Sequence, residues 1–314
     1  MSDEHSQQSL LDRLSPKTQG VLAINVAAII FGTAALYGKL NVSPLWIVAM
    51  RAGFGALTLA MIGAWKRDLS SFPSRYWKEL LFSGLLLAIH WVTFFQSVQL
   101  AGVAVATLTF ATFPLFTVLV EAAHQRRLPR PAELAVGVVI IVAVGLLIDP
   151  ASPPVNAHTS TPLTDNGNLL GAASGLLSGF SYALFWRASQ KLGGAKLSPI
   201  NLSFWQNAAV FLLLVPALFV SAPAPTSAFD WLSLAALGAF NTAVMLIIYL
   251  YALQRISPSV CSGFIALEPV YAIFFAALFF GEAVTPWIAV SVLLILSASY
   301  ALLKIEKDHP QHVA

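Results

Sequence analysis

Ten stretches of the chain are apolar and almost free of charge: residues 20–38, 45–65, 79–99, 103–123, 132–148, 168–188, 199–220, 231–252, 259–280 and 286–303. Each approaches the roughly 20 residues that a helix needs to cross the hydrocarbon of a bilayer. The pattern predicts ten membrane-crossing helices. The connections run from a few residues to about twenty, which leaves no room for a soluble catalytic domain.

The pattern also repeats. Residues 99–131 lie over residues 254–286 without a gap, 155 positions later, and this register brings Pro114 onto Pro269. Proline cannot donate the helical hydrogen bond and crowds the carbonyl four residues back, so the carbonyls of Phe110 and Ile265 are freed in the middle of two spans. Such groups are tolerated only beside protein or a water-lined cavity. Apolar helices interrupted at corresponding places in two halves point to a transporter with its site where the repeats meet. Pro114 and Pro269 are the expected hinges. Five spans per half is an odd number, so the second copy enters the membrane from the opposite face and the repeats are inverted. Pro216, opposite Met61 in the repeat register, reads as a local kink.

Composition agrees with a membrane setting. Hydrophobic residues make up 58% of the chain and charged residues 10%, and mean hydropathy is +0.77; soluble domains average roughly 45–50% apolar and 25% charged. With the amino terminus inside, all but two of the 17 lysines and arginines fall on inner segments; the exceptions are Lys39, outside, and Arg51, within the second span. That bias sets the orientation. It predicts an inner-membrane protein with a cytoplasmic segment 1–19, a first repeat 20–148, an outer linker 149–167, a second repeat 168–303 and a cytoplasmic tail 304–314. The polar start, without a small-x-small cleavage site, does not read as a removable signal peptide. The sequence pI of about 9.0 follows from topology, and no motif supports nucleic-acid binding.

Candidate chemistry is sparse. Cys261 is the sole cysteine, so no disulfide forms within the chain. Asp68, Asp149, Asp165 and Asp230 are isolated, and neither a metal site, a cofactor site nor a catalytic cluster is expected. Ionisable groups inside a membrane cost at least about 2.5–3.5 kcal/mol on insertion scales, which makes each a site candidate. Glu268 is the only carboxylate near the middle of a span; a substrate amine, a coupled proton or hydrogen bonds within the bundle would each account for it. His90 shares a face with Phe94 and Ser97. Arg51, about six residues inside the outer end of its span, is placed to snorkel or to bond between helices. Its repeat counterpart is Gln206. Trp91, Tyr182 and Tyr249 carry polar handles where lipid offers no partner. The predicted cavity therefore comprises His90, Trp91, Phe94, Phe110, Tyr182, Trp186, Tyr249, Glu268 and Tyr271. Aromatic walls with a few polar groups suit a neutral or zwitterionic metabolite. A phosphate carrier would need fixed cations at the site, and only Arg51 and Lys39 are available, both toward the outside. Glycines 171, 175 and 179 form a close-packing track, serving either the fold or a dimer; monomer and homodimer both remain open.

The second half resembles the carboxy-terminal repeat of the drug/metabolite transporter superfamily, EamA type, through Ala252-Leu253-Gln254, Ser257-Pro258, Glu268-Pro269 and Gly281-Glu282. The first half is similar through residues 94–99, Pro114 and the run to Leu147. It departs at Arg126-Arg127, where the second half has Gly281-Glu282, and at Phe113, where it has Glu268. The resemblance implies an all-α membrane protein, ten transmembrane helices as two inverted five-helix repeats around a central cavity of spans 1, 3, 4, 6, 8 and 9. It also implies secondary transport by alternating access, with membrane lipid and a small-molecule substrate as partners. Within the family the chain looks most similar to bacterial aromatic amino-acid exporters, which implies export of aromatic or other neutral amino acids or related metabolites. The alternatives are a multidrug or quaternary-amine effluxer and, further off, a membrane-embedded lipid-modifying enzyme.

Overall fold

Among the described residues, serine followed by proline opens four helices. Ser15, Ser43, Ser198 and Ser257 each precede a proline in the first helical turn. The proline has its φ preset and lacks an amide that would go unbonded there, while the serine oxygen accepts an amide of the first turn, as from Thr18 at 3.2 Å and Asn201 at 3.2 Å. A computed structural model describes residues 14–147 and 167–308. Most of the expected segment 1–19, nearly all of the linker 149–167 and the end of the tail lie outside the described residues.

Twelve helices follow in order: α1 (Pro16–Thr33), continued by a 3-10 turn (Ala34–Lys39), α2 (Pro44–Trp65), α3 (Trp77–Phe110), α4 (Phe113–His124), α5 (Pro131–Gly145), α6 (Gly167–Lys191), α7 (Pro199–Leu218), α8 (Ala228–Gly238), α9 (Met245–Leu253), α10 (Pro258–Ile265), α11 (Glu268–Phe280) and α12 (Pro286–Asp308). Among the described residues, seven helical segments are long and apolar enough to cross a membrane, and three more are apolar but shorter. The chain is an all-helical, multi-pass membrane protein.

The apolar runs and the helices differ in instructive ways. Runs 79–99 and 103–123 are joined through α3, whose backbone turns sharply at Gly102, with φ of 84° and ψ of 172°. Only glycine adopts that conformation at little cost. The second of these runs then breaks again at residues 111–112, and run 259–280 breaks at 266–267. Helices end at Phe110 and Ile265, resume at Phe113 and Glu268, and start again at Pro131 and Pro286. Every pair is separated by the offset of the sequence repeat. Pro216 sits inside α7 near its end without terminating it.

Close backbone approach holds the halves together. A methyl group added at Gly171 would strike Ala101, one at Gly175 would strike Thr109 Oγ1, and one at Gly179 would lie 3.2 Å from the Phe110 carbonyl. The glycine track of α6 is therefore an internal seam against α3. The largest apolar core draws on α2, α3, α7, α8 and α11, with Phe95, Ile47, Val48, Val98, Leu234 and Leu237 fully enclosed.

The departures between the halves keep the backbone while changing the chemistry. Arg126 has φ of 53° and Gly281 φ of 66°, so both positions are left-handed. Next to them, Arg127 forms two hydrogen bonds to Glu133, 2.9 and 3.1 Å, whereas Glu282 pairs with Lys39 and accepts the Val103 amide at 3.2 Å.

Candidate functional site

Helix breaks and close helix packing bring His90, Phe94, Phe110 and Tyr182 together. The glycine seam sets α6 against α3, which places His90 beside Ser178: Nδ1 lies 2.8 Å from the hydroxyl and 3.2 Å from the carbonyl. The imidazole ring then meets Phe110 at 4.9 Å and Tyr182 at 4.8 Å. The break after α3 turns Phe113 back so that it stacks on Phe110, 5.4 Å between centroids and 19° between planes. Tyr182 stands edge-on to both phenylalanines, and Phe94 closes the group at 5.8 Å from Phe110. These rings form one continuous aromatic wall.

The wall continues to α2 and α8. Gly238 admits the backbone of α2 so closely that an added methyl would lie 2.7 Å from the Arg51 carbonyl. Immediately after it the chain makes a π-helical turn, Ala239–Val244. Single π-turns interrupt the regular ladder and gather at functional sites. This one presents Asn241 to the Thr33 hydroxyl at 2.9 Å and to the Ile30 carbonyl, and Thr242 to Arg51 Nε at 3.2 Å. The guanidinium carbon lies over Trp91, 4.1 Å from the ring centre. Arg51 is 4% exposed, so the snorkelling alternative is replaced by bonding between helices; the break in α8 puts a hydroxyl within its reach.

Glu268 opens α11, with Pro269 in the first turn. Its side chain is buried at 7% exposure. Among the described residues the carboxylate makes neither a hydrogen bond nor an ion pair, although it interacts electrostatically with Arg51 and with Tyr182. Tyr271, one turn along, reaches Asn25 of α1 with its hydroxyl at 3.4 Å. Tyr249 packs in a neighbouring cluster with Ile24, Ala27 and Cys261. The thiol is buried, as expected for a packing residue.

One placement differs from expectation. Trp186 is 53% exposed and takes no part in the ring cluster, because α6 presents that position to the outside. Sequence reading also passed over Thr242, Asn241 and Ser178, which supply most of the polar partners here. Their only signal was a small polar side chain inside an apolar run. A surface groove of about 300 Å³ lined by Lys78, Glu79, Phe82 and Arg187, among others, contains none of the predicted site residues. No group of metal-ligating side chains occurs among the described residues.

Two helices broken at matching positions, facing a buried aromatic interior, are a transporter's geometry, and the sequence agrees twice over. The pattern of the EamA-like transporter family matches residues 18–148 and again residues 169–304. The chain belongs to that family. This EamA-like protein is thus a transporter rather than an enzyme. It is 23% identical over 270 residues to an uncharacterized transporter of Bacillus subtilis, covering 84% of this chain and 83% of the relative. A solved crystal structure has the same fold, with a TM-score of 0.61 at 17% identity over 94% of this chain and all of the other.

Proposed function

We propose that this EamA-like protein exports amino acids, aromatic or other neutral ones, or related small metabolites across the bacterial inner membrane by alternating access. The observation that carries the reading is the coincidence of both helix breaks, at 111–112 and 266–267, with the side chains that line the interior. Phe110 and Phe113 flank one break, and Glu268 begins the helix after the other. Motion at either break therefore reshapes the site itself.

Contacts between connections support ten spans in two inverted five-helix repeats. Connections expected on the outer face meet one another: Ser43 lies 2.6 Å from Ser221, and Lys39 pairs with Glu282. Connections and helix ends expected inside do the same, with the Ser198 hydroxyl donating to Asp68 at 2.6 Å, Arg187 pairing with Glu121, and Tyr251 donating to Gln19 at 2.8 Å. Substrate-binding roles fall to His90, Trp91, Phe94, Phe110, Tyr182, Tyr249, Glu268 and Tyr271, with Pro114 and Pro269 as hinges. A buried arginine on the wall opposes a substrate of net positive charge, which sets the amino-acid reading above a quaternary-amine effluxer.

The test is counterflow. Purified protein in liposomes preloaded with unlabelled amino acid accumulates labelled phenylalanine, and aromatic and other neutral amino acids compete. Accumulation that only cationic drugs suppress would overturn the assignment.

A further inference from the structure

Arg51 and Glu268, a base and an acid, are each more than nine-tenths buried, and among the described residues they form neither an ion pair nor a hydrogen bond with each other. Interiors do not leave such groups apart without cause, since each gives up hydration that only a partner replaces. The way Arg51 is held shows which part of it is free. Its guanidinium carbon lies 4.1 Å from the Trp91 ring centre and its Nε donates to the Thr242 hydroxyl. Among the described residues its two Nη groups make no hydrogen bond. With Nε engaged, the two Nη groups are left to a carboxylate, which a guanidinium receives with two parallel bonds. Glu268 offers the complement, an unshared carboxylate suited to an ammonium. His90 and Tyr182 lie on the aromatic wall between the repeats, Tyr182 interacting electrostatically with both charges.

Building on the amino-acid reading, we infer that Arg51 and Glu268 form a dipolar clamp that selects zwitterions: Arg51 takes the substrate carboxylate, Glu268 takes its ammonium, and the side chain rests against the His90, Phe110 and Tyr182 rings. The clamp is specific for a charge pattern, and it is as strict about the missing acid as about the missing amine. Phe113, in the repeat position of Glu268, and Gln206, in that of Arg51, show that the near-symmetric scaffold carries one clamp rather than two.

The experiment is inhibition of labelled phenylalanine counterflow by analogues that lack one charge: phenylalanine methyl ester and phenethylamine without the carboxylate, N-acetylphenylalanine and phenylpropionate without the ammonium. In the unmodified protein all four compete about tenfold or more weakly than phenylalanine, the scale of one lost charge-assisted contact. In Arg51→Gln the gap between phenylalanine and its methyl ester closes, while the gap to N-acetylphenylalanine stays; in Glu268→Gln the reverse holds. Equal competition by all four analogues in the unmodified protein overturns the clamp whether or not either variant folds, and leaves amino-acid export standing. Absence of counterflow with every amino acid removes both. Parallel loss of all discrimination in either variant also counts against separate roles.

Discussion

At residue scale, Gly175 marks the tightest approach of any glycine among the described residues, its missing side chain filled by Thr109 of α3. Replacing it with alanine forces the seam apart. Gly175→Ala should destabilise the protein by about 1–3 kcal/mol, the usual cost of overpacking, seen as a lower Tm in detergent. Gly263, with nothing within 4 Å, is the control, and Gly263→Ala should shift stability by less than about 1 kcal/mol. The glycine spacing was readable from the sequence, and its partner helix was not, because spacing on one helix carries no information about the other. The site residues divide the same way. Glu268, His90 and the ring-forming phenylalanines stood out as unusual groups inside apolar runs. Thr242 and Asn241 did not, since small polar side chains are common in membrane helices and only the π-turn of α8 and α9 aims them at Arg51 and α1. Trp186 was misplaced because depth along a helix is legible in sequence, whereas the facing of a helix without a strong polar side is not.

At the scale of elements, the helix breaks are the working parts. Pro114 and Pro269 were legible as interruptions; the second interruption at Gly102 was not, because one glycine in an apolar run more often lies within a helix than ends one. Its conformation is held by Glu282, which accepts the Val103 amide at the start of the next helical stretch and pairs with Lys39. That ion pair is largely buried, 10% and 8% exposed on its two sides, so removing one partner leaves a costly orphan charge. Glu282→Gln should loosen this closure and raise, by about tenfold or more, the rate at which an impermeant thiol reagent on the Lys39 face reaches a cysteine at Phe113. An unchanged rate would assign Glu282 to capping alone. Alanine at Pro114 or at Pro269 should slow counterflow while leaving competition constants unchanged, as expected of hinges that do not contact substrate.

At the scale of the whole molecule, the repeat offset anticipated where helices break and restart, at Phe110 and Ile265 and again at Pro131 and Pro286, while the orientation drawn from the charge bias is a proposal to be tested. Leu128, 87% exposed, and Val220, 88% exposed, are expected on opposite faces. In a background with Cys261→Ser, Leu128→Cys should be labelled only from the cytoplasmic side and Val220→Cys only from the other; labelling of both from one side would break the inverted arrangement. Transport by alternating access requires more than topology, since one central position must open to each face in turn. Phe113 lies at the first helix break, on the aromatic wall, and a cysteine there reports on it directly. In sealed vesicles of either orientation, Phe113→Cys should react with an impermeant thiol reagent added to either face, and phenylalanine should slow both reactions. Reaction from one face alone, indifferent to amino acids, would contradict the account.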